Sequence, residues 1–383
     1  CTTAGKQNPI ACFPNHEFFK FFIQPVAVLA ARENMQKIRL KDSCEARILI
    51  RAANWVGDAI MTTPVVRGVR KNFLQARITV LAKPWVIPVY ENNPYIDDIL
   101  VYENQGRHKK GIGTLRLSKD LRPHRFDLAI LMQNAFEAAL LSFLAGIPER
   151  LGYDTDARTL LLNPSIKLDP VLKKRHLIDY YIGILKGAGL APDGRRTELF
   201  LTLAEKKNAR AILHENSIDL TKPVIGINPG ATGGTAKRWF PQRYAQVAQR
   251  LSSLLGVKIL IFGGPGDEAL GRQINEDSGN SCINLAGKTN LRMAFALIET
   301  CSLFITNDSG LMHAAAALGI DQIAIIGSTD SLATSPSNTN SSILRVPVPC
   351  APCMKPECPI DHRCMSLITV ESVVEKALEV LHG

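Results

Sequence analysis

The stretch SLFITNDSGLMHAAAALG, residues 302–319, decides how the chain is read. Leu303, Phe304 and Ile305 form a short apolar run of strand type, and Thr306 to Gly310 are turn residues. Leu311 to Leu318 is Ala-rich and apolar, as in a helix packed against a sheet. A buried strand, a tight polar turn and a buried helix leave N–H groups free at the helix start. Such a terminus favours anions through those donors and the helix dipole. Ser309 can cap it, and Gly310 lets a ligand approach the backbone. His313, four residues after Ser309, reaches the same space. Taken alone, the motif fits a capped helix with a buried histidine equally well.

Working outward, the same alternation recurs. Towards the N-terminus, Val224 to Asn228, Lys258 to Gly263 and Ile283 read as strands, interleaved with helices over 240–255, 268–276 and 291–300. Gln322 to Ile326 continues the series, and an amphipathic helix over 371–381 closes it. A first series begins at Ala46. Strands over 47–51, 78–82, 98–102 and 126–132 alternate with helices over 59–73, 85–91 and 136–144. Residues 106–113 and 147–156 read as loops, and a helix is expected over 175–187. The pattern predicts parallel sheets covered on both faces. It divides the chain into a first α/β domain over 46–205, a second over 222–367 and a terminal helix over 368–383. PDGRR, 192–196, is a plausible start for the linker. Ligands of such sheets bind at the carboxyl ends of the strands, here in a central cleft between two domains.

Residues 1–45 look unlike the rest. The apolar run FFKFFIQPVAVLAA, 18–31, is interrupted by Lys20, Gln24 and Pro25, which suits a weak signal or interfacial segment better than a membrane span. The leading Cys fits a truncated or mis-started reading frame, or a mature lipoprotein. The segment is set outside the fold argument.

At 383 residues and 46% apolar composition, two sizeable cores can form. The net charge of +10 points to an acidic partner. No RNA-binding aromatic motif or zinc-finger signature accompanies it, so nucleic acid is the weaker choice beside a phosphorylated substrate or an anionic membrane face. Nine cysteines, five of them isolated, do not make a secreted disulfide framework, and a reducing compartment fits better. The other four, Cys350, Cys353, Cys358 and Cys364, lie within fifteen residues. Four thiols so spaced can ligate zinc; reduced structural or disulfide-prone cysteines are the competing reading.

Three more strand-end segments carry chemistry. Asp58, after Gly57 in AANWVGD (52–58), could act as a general base on a hydroxyl, or merely cap the following helix. In NPGATGGTAKRW, 228–239, glycines expose backbone N–H groups, Thr232 and Thr235 offer hydroxyls, and Lys237 and Arg238 bring positive charge, which suits a diphosphate. It is not a Walker loop, and a flexible surface loop remains open. In FGGPGDE, 262–268, Asp267 could accept from a ribose, although an exposed acid in a Gly-Pro-Gly turn explains it too.

Together these residues resemble the ADP-heptose:lipopolysaccharide heptosyltransferase family, its heptosyltransferase II branch above all. The resemblance is carried by ILIRAANWVGDAIMTTPVVRGVR (48–70), INPGATGGTAKRWFPQRYAQVA (227–248), NDSGLMHAAAALG (307–319) and CAPCMKPECPIDHRCM (350–365), and extends over about 46–381. It implies a GT-B fold of two Rossmann-like doubly wound parallel-sheet domains, acceptor on the N-terminal and sugar nucleotide on the C-terminal side. It also implies inverting transfer of L-glycero-D-manno-heptose from ADP-heptose to the first heptose of the lipopolysaccharide inner core, on a heptosyl-Kdo2-lipid A acceptor. By position, Asp58 resembles the general base and Lys237 the diphosphate-contacting lysine. Asp308, Ser309 and Gly310 resemble the donor-binding turn, with His313 beside it; Thr232 and Asp267 fall on the donor side. Gly57, Arg150 and Arg175 are expected on the acceptor side. No cofactor is required, though magnesium could assist. The implied location is cytoplasmic, peripheral at the inner membrane. Two other readings stay open: another GT-B transferase or sugar-nucleotide epimerase with a different donor, and a non-catalytic sugar-nucleotide-binding protein.

Overall fold

The computed structural model describes residues 46–109 and 111–382. The expectations for residues 1–45, including Cys1, Cys12 and Cys44, lie outside the described residues. Two six-stranded parallel sheets organise the chain. The first contains β1 (Arg47–Arg51), β2 (Arg77–Ala82), β3 (Asp98–Val101), β4 (Leu128–Leu131), β5 (Glu149–Tyr153) and β6 (Ser165–Ile166), in the spatial order β3-β2-β1-β4-β5-β6. The second contains β7 (Ile225–Asn228), β8 (Ile259–Ile261), β9 (Cys282–Asn284), β10 (Leu303–Asn307), β11 (Gln322–Ile325) and β12 (Ser341–Leu344). Its order, β12-β11-β10-β7-β8-β9, is that of the first sheet written backwards, so β7 corresponds to β1 and β10 to β4. In each sheet the chain reverses direction across the sheet between those two central strands, and that is where a ligand crevice opens.

The central strands are buried on both faces, which explains their unbroken apolar runs: Ile48, Leu49 and Ile50 in β1, Leu303, Phe304 and Ile305 in β10. The first core adds Val65, Val66 and Val69 from α2 (Thr63–Asn72) and Ile178, Ile184 and Leu185 from α3 (Leu177–Gly187). The helix α4 (Leu203–Glu215) opens with a capping box between Thr202 and Glu205, and its Ala209 and Leu213 pack into the second lobe. The chain therefore crosses between lobes at 199–202. In the second lobe, α5 (Pro241–Leu255) and the terminal helix α8 (Val370–His382) share a core with β7 and β10, through Val247, Leu251, Val373 and Ala377. Two further helices of that lobe face the first: α6 (Leu291–Ile298) and α7 (Gly310–Ala317).

Several local expectations needed correction. The helix expected over 59–73 is two helices, α1 (Val56–Met61) and α2, because Pro64 starts a new one and the buried Thr62 hydroxyl turns back to the Ala59 carbonyl. The loop expected at 147–156 contains β5, whose sequence ERLGY lacks an apolar run because Glu149 and Arg150 are only half-buried. Residues 112–121, within and beyond the glycine-bearing loop, form a helix. Gly113 opens it because a Cβ there would lie 2.2 Å from the backbone of His108. The short strands β6 and β12 were not expected at all.

Candidate functional site

The carboxyl ends of both sheets face one cleft of about 660 Å³ between the lobes. From the first lobe, Trp55, Val56, Gly57, Asp58, Met61, Trp85 and Gln105 line it; from the second, Thr232, Gly233, Lys237, Asp308, Ser309, Gly310, His313 and Thr334.

On the first side, β1 runs into a four-residue turn and then α1. Arg51, almost fully buried, braces that turn: Nη1 donates to the Ala52 carbonyl at 2.6 Å and Nη2 to Asn54 Oδ1 at 3.0 Å. Burial lowers its pKa to about 10, so it stays charged at neutral pH. Trp85 Nε1 closes the turn from outside by donating to the Asn54 carbonyl at 2.9 Å. Asp58 sits in the first turn of α1, whose N-cap is Trp55. It therefore does not cap the helix, and among the described residues its carboxylate has no hydrogen bond or ion pair. Burial raises its pKa to about 6, against the pull of Lys237 across the cleft.

On the second side, two loops flank the crevice between β7 and β10. Ser309 is the N-cap of α7 and its Oγ accepts from the Met312 N–H at 3.3 Å. Asn228, at the end of β7, donates to that same Oγ at 2.8 Å. Asn307, at the end of β10, accepts from the Trp239 N–H and the Tyr244 hydroxyl, both at 3.0 Å, and donates to the Pro229 carbonyl at 2.7 Å. These asparagines tie the two loops into one unit. Lys237 Nζ then lies 3.2 Å from Asp308 Oδ2, placing an ammonium beside the α7 N-terminus. His313 is buried and its pKa falls to about 4, chiefly through that burial, so its ring is neutral at pH 7.

The lobes touch at the floor of the cleft. A Cβ on Gly57 would lie 2.8 Å from His313 Cδ2, and one on Gly310 would lie 3.2 Å from the Val56 side chain. Only glycine allows this approach. Away from the cleft, Arg292 of α6 fastens the crossing: it bonds Glu205 Oε1 at 2.7 Å, the Phe200 carbonyl at 2.6 Å and the Pro88 carbonyl of the first lobe at 3.0 Å.

Eight expected site residues thus come together: Gly57, Asp58, Thr232, Lys237, Asp308, Ser309, Gly310 and His313, with Gly233 beside Thr232 as an unexpected neighbour. Three do not. Asp267 accepts from the Gly264 N–H at 3.0 Å and lies 3.8 Å from Arg238, so it closes its own turn and does not line the cleft. Arg150 directs its guanidinium to the carbonyls of Leu161, at 2.6 Å, and Pro148, at 2.9 Å. Arg175 is exposed and outside the cleft, whereas the adjacent His176 reaches across to the Ser335 carbonyl at 2.8 Å. Trp55, Trp85 and Gln105 were missed. Trp55 had a signal, an exposed aromatic three residues before the carboxylate; the other two reach the cleft only through the tertiary fold.

Cys350, Cys353, Cys358 and Cys364 line a separate cavity of about 340 Å³. Among the described residues no three His, Cys, Asp or Glu side chains converge closely enough to hold a metal ion, so the zinc reading finds no support in the geometry. The segment does prop the Lys237 loop, since the Pro356 carbonyl accepts from the Ala236 N–H at 3.0 Å.

Two sheets of matching topology around such a cleft make up the GT-B architecture. Residues 114–363 match the model of glycosyltransferase family 9 (heptosyltransferase), and the chain belongs to that family. It is 33% identical to lipopolysaccharide heptosyltransferase 2 of Escherichia coli K12 over 311 residues, covering 78% of this chain and 88% of that protein. The Salmonella typhimurium enzyme of the same name is 32% identical over an equal span. Among solved structures, E. coli ADP-heptose lps heptosyltransferase II superimposes with a TM-score of 0.73 at 30% identity, covering 88% of this chain and 98% of that one. A family 9 glycosyltransferase from Veillonella parvula gives 0.82 at 26% identity, covering 90% and 99%.

Proposed function

We propose that this chain is an inverting heptosyltransferase that moves L-glycero-D-manno-heptose from ADP-heptose onto the first heptose of a lipopolysaccharide inner core, at the cytoplasmic face of the inner membrane. One observation carries the reading. A carboxylate without a partner, Asp58, faces a lysine and a helix N-terminus across a single cleft. The names of the related enzymes support ADP-heptose as the donor and lipopolysaccharide as the class of acceptor.

In this reading the acceptor hydroxyl lies against Asp58 and the donor diphosphate against Lys237 and α7. Asp58 accepts the hydroxyl proton as the oxygen attacks the anomeric carbon from the face opposite the diphosphate. The bond from that carbon to the diphosphate oxygen breaks, and its electron pair leaves with ADP. Lys237 Nζ and the N–H groups beside Ser309 meet the charge growing on the phosphate. A pKa near 6 suits the base, since Asp58 is ionised at neutral pH yet more basic than a solvated aspartate. Asp308 holds the lysine in place before the donor arrives.

A transfer assay with ADP-heptose and lipopolysaccharide truncated after its first heptose tests this, run beside UDP- and GDP-sugars. Heptose incorporation from ADP-heptose alone is expected. Turnover only with another nucleotide, or donor binding without turnover, overturns it.

A further inference from the structure

Outside the cleft, the first lobe carries a second concavity of about 570 Å³, between the helices Ile112–Leu121 and Phe136–Leu144. The inner faces of these helices build core through Leu117, Leu121, Ala138 and Leu141. Their outer faces are apolar too: Ile112 is 67% exposed, Leu115 56%, Phe136 47% and Phe143 50%. Leu115 and Phe136 line the groove, and Ile112 and Phe143 lie exposed on the same two helices. Isolated exposed apolar residues are ordinary, but such a cluster marks an interaction surface.

The helix Ile112–Leu121 lies in a basic stretch of the chain. Residues 105–125 hold seven Lys or Arg against one acidic residue, Asp120. That aspartate is already engaged, by Arg107 at 2.7 Å and His108 at 3.1 Å, while Arg116 and Lys119 point outward on the same helix as Leu115. Glu137, the one acid lining the groove, accepts from the hydroxyls of Tyr102 and Thr114. The inner end of the groove is formed by Asn54 and Lys83, and Asn54 adjoins Trp55 of the catalytic cleft.

Apolar residues flanked by lysine and arginine suit the headgroup region of an anionic bilayer, where the apolar groups leave water and the cations meet lipid phosphates. We propose that this face docks on an anionic bilayer, with Ile112, Leu115, Phe136 and Phe143 among the headgroups and Arg116 and Lys119 on the phosphates. A lipid-anchored acceptor then enters the cleft past Asn54 without leaving the membrane. The inference rests on the reading that the acceptor is lipid-linked.

Co-sedimentation with vesicles of phosphatidylcholine, and of phosphatidylcholine with 30% phosphatidylglycerol, tests it. The protein is expected to bind the anionic vesicles preferentially and to be released by salt, since the attraction of basic residues to lipid phosphates is screened. Leu115→Asp, and separately Arg116→Glu with Lys119→Glu, should each weaken vesicle binding ten-fold or more. Both should turn over a deacylated, water-soluble heptosyl-Kdo2 oligosaccharide at the parent rate, which also shows that they fold. Transfer to acceptor embedded in anionic vesicles should fall with binding. Equal binding to neutral vesicles, or variants that bind as the parent does, overturns the proposal. So does a dimer in solution that Leu115→Asp dissolves, which would give the face to a second copy. If the parent turns over neither acceptor, the transferase reading fails, while charge-dependent vesicle binding lost in the variants still supports the docking face.

Discussion

The two lobes share a strand order and differ at the same topological point. After β1 the first lobe makes a four-residue turn into α1 and presents Asp58 with no partner. After β7, the corresponding strand, the second lobe makes a twelve-residue excursion to Pro241 and presents Lys237, already paired with Asp308. Both carboxylates stand near a helix N-terminus. Asp308 holds Lys237 in an ion pair, whereas burial drives Asp58 towards protonation against the weaker pull of the same lysine. In the proposed mechanism one architecture thus yields a proton acceptor on one side and an anion clamp on the other. The difference lies in loop length and in one lysine, not in the sheets.

The sharpest way to break this contrast is to remove the free carboxylate. Asp58→Asn keeps the shape of the turn and should lower the transfer rate 10²–10⁴-fold, the range of general-base catalysis. ADP affinity by calorimetry should stay at the parent level, and activity restored by Asp58→Asn with a pH change alone would refute the assignment. In the parent, log kcat/KM should fall with unit slope below a pKa near 6, the value to which burial raises Asp58.

Next comes the clamp. Lys237→Met should cost about 10²-fold in kcat. Unlike the Asp58 variant, it should also weaken ADP binding, because the diphosphate loses a cation in both ground and transition states. It leaves the buried Asp308 without its ion pair, so thermal stability should drop as well. An unchanged ADP affinity would separate Lys237 from the diphosphate and dissolve the comparison.

The β10–α7 stretch was legible because everything it needs is local: apolar run, polar turn, capping serine, small-residue helix. Asp58 was legible as a candidate for the same reason. The sequence could not say that its carboxylate would be left unpartnered, since that depends on which side chains the second lobe brings near it. Asn228 and Ser309 meet at 2.8 Å across 81 positions of chain, and no spacing rule connects them. Arg150 and Asp267 show the opposite failure. Residue type and location suggested ligands, while nearby carbonyls and N–H groups had already taken their hydrogen-bonding capacity. Arg292 was overlooked because a helix over 291–300 accounts for itself without asking what its one arginine bridges.

A smaller effect sharpens the contrast where the lobes touch. Gly57→Ala inserts a methyl group 2.8 Å from His313 Cδ2. His313 is buried, so the ring or the lobe contact must shift, at a cost of about 1–3 kcal/mol. Transfer should decline by roughly ten-fold through misplacement of Asp58 relative to the diphosphate side. A parent-like rate and melting temperature together would mean that the lobes have room to spare, and that the close glycine contact does not set the cleft.

The smallest effect is on stability, and its sign is opposite to the usual mutation. In the folded protein Asp58 titrates near 6, above the ordinary 3.8. Between those values the folded state binds the extra proton, so stability from this group is full below pH 3.8 and is lost as pH rises through 6. At pH 7.5 the buried carboxylate therefore opposes folding, by about 2 kcal/mol after allowance for partial exposure. Asp58→Asn should relieve that penalty and raise the melting temperature by a few degrees at pH 7.5. Near pH 4, where the native carboxyl is neutral, the gain should vanish. A matching Asp308→Asn should behave in the reverse manner at pH 7.5, since it strips Lys237 of its partner. If both variants shift the melting temperature in one direction, the partnered and unpartnered carboxylates are not electrostatically distinct, and the division of labour between the lobes loses its physical basis.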